Sequence, residues 1–67
     1  MPTDAAELSS LAATVEQLTV QLAAIAERVA SDPRHNDVAP DLFEAERLLR
    51  GALRPLNRAR RSLGGPC

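Results

Sequence analysis

Apolar residues recur at intervals of three and four along two stretches of the chain, a spacing typical of amphipathic helices. It predicts helix 1 over residues 4–31 and helix 2 over residues 41–63. In the heptad notation abcdefg, the large apolar residues of helix 1 fall at a and d: Leu8, Leu11, Val15, Leu18, Leu22, Ile25 and Val29. The e row beside them is small (Ala5, Ala12, Thr19 and Ala26), which would let a neighbouring backbone approach closely.

Helix 2 repeats the heptad pattern with leucine at a and alanine at d. The row reads Leu42, Ala45, Leu49, Ala52, Leu56, Ala59 and Leu63. Leu48 at g and Leu53 at e widen the apolar arc beyond a two-row coiled-coil seam. Large residues of helix 1 are therefore expected to face the alternating leucines and alanines of helix 2.

Residues 32–40 form the predicted linker, in which Pro33 prevents helix 1 from continuing. Two pairs have the spacing of a capping box, Asp4 with Glu7 and Asp41 with Glu44. Thr3 is an alternative cap for helix 1, and Asp37 could start helix 2 a turn earlier, with Pro40 in its first turn. Residues 64–67 are the predicted tail, whose glycines end helix 2.

Two amphipathic helices with a short linker predict one all-α domain over residues 1–67, folded as an antiparallel hairpin. Two helices enclose no core, so Leu48, Leu53 and Phe43 would stay partly solvated. Pairing of two hairpins into a homodimeric four-helix bundle would cover them, and twofold symmetry is the commonest form of such assembly. The alternative is that a different protein covers the surplus apolar face.

Helix 2 also contains a proline in its interior. Pro55 lacks an N–H, and its ring collides with the carbonyl of the residue four positions back, Gly51. Because the heptad register continues through Pro55, the two residues predict a bend within one helix. The bend either curves helix 2 around its partner or provides a hinge at a binding site.

Charge divides the chain unevenly. Residues 1–46 contain nine acidic residues and two arginines, a net charge of −7, whereas residues 47–67 contain six arginines and no acid, a net charge of +6. Five of these arginines form a stripe opposite the leucine seam: Arg47, Arg50, Arg54, Arg58 and Arg61. Three interpretations of the stripe are open. It is a solvated face whose positive charge suits the C-terminal end of the helix dipole, a binding site for an acidic protein surface, or a surface that contacts phosphates. Nucleic acid is not favoured, because the acidic first half would repel it and no base-stacking aromatic set is present.

No constellation for catalysis, a cofactor or a metal is apparent in the sequence. Asp32, His35 and Asp37 are ordinary turn-forming residues and a weak metal-ligand set. Cys67 lies in the tail without a partner that would activate its thiol. No apolar run approaches the ~18 residues that span a membrane, and a secretory signal is not evident. A cytoplasmic location without a transmembrane segment is expected.

The sequence thus predicts a small non-enzymatic interaction or regulatory module that assembles through its Leu/Ala seams. A nucleic-acid-associated protein that uses the arginine stripe is one alternative. An accessory subunit of a larger enzyme or membrane complex is another.

Overall fold

Two long helices form the protein. The computed structural model describes residues 3–64, in which α1 (Asp4–Ala30) is followed by one turn of 3-10 helix (Asn36–Val38) and α2 (Ala39–Leu63). Helices of this length are roughly 40 Å long. The molecule measures 51 × 19 × 13 Å, so the helices must lie side by side. Because the connection between them is short, they run antiparallel, as a helical hairpin.

Thr3 caps the start of α1. Its side-chain Oγ1 accepts a hydrogen bond from the backbone N–H of Ala6 at 3.0 Å, and its carbonyl accepts one from Glu7 at 2.9 Å. Asp4 is already the first helical residue, so the predicted capping box of Asp4 with Glu7 is wrong. Both carboxylates instead lie in the first turn, where negative charge suits the positive end of the helix dipole.

Asp32 organises the connection between the helices. Its carboxylate accepts a hydrogen bond from the backbone N–H of Arg34 at 2.9 Å, and its second oxygen lies 3.1 Å from Nδ1 of His35. The Arg34 N–H first, and the His35 ring next, lower the pKa of the Asp32 carboxyl from its ordinary value. The ionised carboxylate therefore stabilises this turn at neutral pH, and its contribution is lost as the pH falls through that lowered pKa.

Helix α2 begins two residues before the predicted start. Val38 occupies the cap position without a side-chain hydrogen bond, and Pro40 lies in the first turn, where its missing N–H costs nothing. Asp41 is inside the helix, so the predicted capping box of Asp41 with Glu44 does not form. At the other end Gly64 caps the helix with a right-handed backbone, its N–H donating to Arg60. The rest of the predicted tail, with Cys67, lies outside the described residues.

The helices contact each other through their a and e rows. On α1, the e row supplies the buried Ala12, Thr19 and Ala26. Thr19 satisfies its buried hydroxyl within its own helix by donating to the Glu16 carbonyl at 2.6 Å. The a row beside it is half-buried: Leu8, Val15, Leu22 and Val29.

Helix α2 presents the same two rows to α1. Its e row contains the buried Ala39 and Glu46 and the half-buried Leu53 and Arg60. Its a row contributes three half-buried leucines, Leu42, Leu49 and Leu56, whereas Leu63 near the helix end is exposed. The small e-row residues of α1 let the two helices approach closely. Each helix is therefore rotated so that its e row, beside its a row, faces the other helix. The d row of α1 is thereby left on an open side of the hairpin.

No large side chain is fully buried in the described part of the hairpin. The buried apolar residues of this part are three alanines, Ala12, Ala26 and Ala39. A pair of helices can cover each large side chain on one flank and leaves the other flank in water. The two helices alone therefore do not enclose an apolar core.

Helix α2 runs without interruption through Pro55, so the proline does not divide it into two helices. Gly51 is exposed, and a Cβ atom added there would meet nothing within 4 Å. No neighbouring side chain therefore requires glycine at this position. A bend at Gly51 and Pro55 stays a prediction.

Candidate assembly face and arginine stripe

One side of the hairpin carries four of the eight large apolar residues that are exposed within residues 3–64. We call it the assembly face and define it by Leu11, Leu18 and Ile25 of α1 and Leu48 of α2. Their residue surfaces are 55%, 46%, 41% and 58% exposed. The three α1 residues are spaced by seven and follow the helix over roughly 21 Å. The alanine d row of α2 (Ala45, Ala52 and Ala59) belongs to the same open side.

A groove between the two helices opens on this face. Leu18, Gln21, Leu22 and Ile25 of α1 line it, together with Leu49 of α2. Leu49 therefore lies level with the middle of residues 18–25. The helices are antiparallel, so a residue three positions after Leu49 on α2 lies beside a residue three positions earlier on α1. Ala52 is therefore level with about Leu18.

The remaining exposed apolar residues lie apart from the assembly face. Val20 at f and Phe43 at b point toward other sides of their helices, while Val38 and Leu63 lie at the ends of α2. Val20 is the most exposed of them, at 69%. It provides a matched control position on α1, because it is apolar, well inside the helix and away from the assembly face.

The first two arginines of the stripe are paired within α2. Arg47 donates two hydrogen bonds to the Glu44 carboxylate, Nε to Oε1 at 2.8 Å and Nη2 to Oε2 at 2.7 Å. These bonds lower the pKa of Glu44 and raise that of Arg47. Arg50 forms an ion pair with Glu46.

The C-terminal half of the stripe has no such pairing. Within residues 3–64, Arg54, Arg58 and Arg61 are exposed and join no ion pair, and none of the ion pairs there connects α1 to α2. Asp4 and Glu7 lie in the first turn of α1, at the same end of the antiparallel hairpin as the C-terminal arginines. They form no ion pair with them in the described structure, so the positive charge of this half is not neutralised by direct contact.

Two polar side chains enter the helix contact at positions that the sequence analysis did not single out. Glu46 and Arg60 both belong to the e row of α2. Oε2 of Glu46 accepts no hydrogen bond from the described residues, and Nε of Arg60 donates none to them, although both atoms are shielded from solvent. Arg50 nevertheless makes an ion pair with Glu46. The sequence signal was the small e row of α1, which leaves room for the longer e-row side chains of α2.

Helix α1 is long and apolar enough to cross a membrane, by length and composition alone, with a mean hydropathy of 1.2 over an 18-residue stretch. The core helix of a soluble protein and a signal sequence near the N-terminus pass the same test. The expected absence of a transmembrane segment therefore stays a prediction.

No metal centre or known relative identifies the site. Residues 3–64 contain no cluster of three or more His, Cys, Asp or Glu side chains placed to hold a metal ion. No protein-family model, curated protein or solved structure significantly matches this chain.

Proposed function

We propose that this protein is a small non-enzymatic interaction module of the cytoplasm, which assembles as a homodimeric four-helix bundle. The observation that supports the proposal is the assembly face. Within the part of the chain that the structure describes, no large side chain is fully buried, and Leu11, Leu18 and Ile25 are exposed in one row. The chain has one cysteine, and residues 3–64 hold no cluster of metal-ligating side chains, so association is the readiest source of added stability.

Burial of the assembly face would offset the translational and rotational freedom that two chains lose when they associate. Covering a half-exposed leucine contributes roughly 1–2 kcal/mol, and a dimer would cover the four assembly-face residues twice. The total is on the order of 8–16 kcal/mol, comparable with the loss of translational and rotational freedom on association. The module is therefore expected to dimerise reversibly, with its stability coupled to protein concentration.

Sedimentation equilibrium of the purified chain tests this proposal. We expect twice the 7.2 kDa chain mass and a thermal midpoint that rises with protein concentration. A folded monomer whose midpoint is independent of concentration would overturn it. A chain that is insoluble or unfolded alone, and is rescued by a protein from its host, would instead favour the accessory-subunit alternative.

The arginine stripe favours a second contact on the outside of the bundle. Arg54, Arg58 and Arg61 lie at f and c, away from the d and g rows of the assembly face, so dimerisation would leave them accessible. A planar guanidinium pairs well with carboxylates, and the acidic α1 nearby would oppose a continuous polyanion. An acidic protein surface is therefore the favoured partner for this stripe, with nucleic acid as the alternative.

We expect the protein to flow through DNA and RNA columns without retention at low salt. Retention that falls steeply with salt would establish the nucleic-acid alternative, because phosphate contacts release counterions. In that case the triple variant R54E/R58E/R61E should lose retention. Replacing Arg34 of the linker with Glu provides a control, since Arg34 lies outside the stripe and is also exposed.

A further inference from the structure

We propose that the assembly face takes a second copy of this chain about a dyad that passes Leu18 of α1 and Ala52 of α2. In this arrangement α1 packs antiparallel against α1 of the partner subunit, and α2 against its counterpart. The inference rests on the proposed homodimer and goes further, because it fixes which helices meet and in which register. Three observations support it.

The first observation is the symmetry of the assembly face along α1. Leu11 and Ile25 lie seven residues on either side of Leu18, so an antiparallel copy centred there places Leu11 against Ile25 of the partner subunit. The flanking g row reads Glu7, Thr14, Gln21 and Arg28 and has its centre within about one residue of Leu18. Facing g residues form the rim contacts of antiparallel helices.

The same register brings opposite charges together. Glu7 faces Arg28 of the partner subunit at both ends of the contact, and Thr14 faces the partner's Gln21. Glu7 and Arg28 are both exposed, and neither joins an ion pair within residues 3–64. A copy of the chain therefore supplies the opposite charge for each of them, which an unrelated apolar surface would not.

The second observation is a matching symmetry in α2. Its d row, Ala45, Ala52 and Ala59, is centred on Ala52, and small residues there allow two α2 helices to approach closely. In the g row, Leu48 would face Pro55 of the partner subunit. Leu48 is 58% exposed in the hairpin, and this apolar contact would cover it.

The third observation is that the two centres coincide in space. The groove places Leu49 level with the middle of residues 18–25 of α1, and hence Ala52 level with about Leu18. One axis perpendicular to the helices therefore passes both centres. Because α1 and α2 have similar lengths and a short connection, one dyad can relate both pairs of helices.

The rival twofold arrangement places α1 against α2 of the partner. It pairs Arg28 with the partner's Asp41 but gives Glu7 only the partner's Ser62. It also places Leu48 against Gln21 of the partner subunit, an apolar side chain against an amide. The arrangement centred on Leu18 and Ala52 pairs charge with opposite charge and apolar with apolar, and we therefore favour it.

Cysteine cross-linking measures which helices meet. In a chain that carries C67S, L18C should form a disulfide-linked dimer under mild oxidation, because Leu18 lies at the dyad. V20C should not, because Val20 lies on another side of α1. If the chain sediments as a dimer and L18C does not cross-link, the dyad is overturned while the proposed function stands. If the chain is a monomer, both fail.

Charge reversal tests the register independently. We expect E7R to weaken the dimer about tenfold, because two exposed ion pairs become repulsive. R28E should weaken it similarly, and the double variant E7R/R28E should restore the original affinity. The rival arrangement predicts little effect of E7R and no rescue in the double variant, so failure of rescue would refute the proposed register.

Discussion

Replacing Leu18 with Asp should convert the proposed dimer to monomers while leaving each chain able to form helices. Leu18 is 46% exposed in the hairpin, so a carboxylate there stays hydrated in the monomer. In the dimer it would lie between two copies of α1, next to the same charge from the partner subunit. Burying an unpaired charge costs several kcal/mol, and about 4 kcal/mol per dimer would weaken association roughly a thousandfold. Sedimentation equilibrium over a range of concentrations measures the shift.

The control for this experiment is V20D. It places the same charge two residues away on α1, at an apolar position that is 69% exposed and off the assembly face. We expect V20D to keep the mass and thermal midpoint of the parent. Equal weakening by both variants would mean that the charge acts on the helix in general, and an unchanged mass for L18D would remove Leu18 from the interface.

The all-helical fold and the approximate extents of both helices could be predicted from the sequence, because the three-four spacing of apolar residues is a local signal that covers most of the chain. The helix ends were less predictable. Asp4 and Thr3 are both good caps, and only the backbone geometry decides that Thr3 accepts the hydrogen bond from Ala6. At α2 the 3-10 turn and Pro40 replace a side-chain cap altogether.

The side of each helix that faces its neighbour was harder to predict. Heptad spacing identifies a and d as apolar, but it does not say which row packs inside the hairpin and which stays exposed. In the structure the e rows of both helices face the helix contact, because Ala12, Thr19 and Ala26 permit close approach. A row of small residues beside a large apolar row was the sequence signal for this choice. It also explains why Leu11, Leu18 and Ile25 are the exposed ones.

The charge pattern was the least predictable feature. Residues 1–46 and residues 47–67 carry opposite net charges, yet every ion pair in residues 3–64 lies within α2 or the connection. Ion pairs need side chains within about 4 Å, and net charge over a segment does not fix such distances. Local spacing does, as in the three-residue separation of Glu44 and Arg47.

The double variant L49D/L56D should abolish the folded state rather than only the dimer. Leu49 and Leu56 are half-buried at a positions of α2, and Leu49 lines the groove against Leu18, Leu22 and Ile25. Each substitution removes apolar contact between the helices and places a carboxylate there, at a cost of roughly 3 kcal/mol. The pair would exceed the few kcal/mol that a core of this size supplies. Circular dichroism should show loss of most helical signal at all accessible concentrations.

A matched control adds the same charged group to the same helix on its outer side. Gly51 lies at c, off the assembly face, and is exposed. A side chain there meets no neighbour, so G51D should retain the parent helicity and mass. The contrast with L18D then separates two layers of stability. If L49D/L56D yields a helical monomer like that expected of L18D, the a row of α2 serves only association and α1 and α2 are held together by their e rows. If it unfolds while L18D stays helical, the hairpin depends on its a rows and the dimer on the d row of α1.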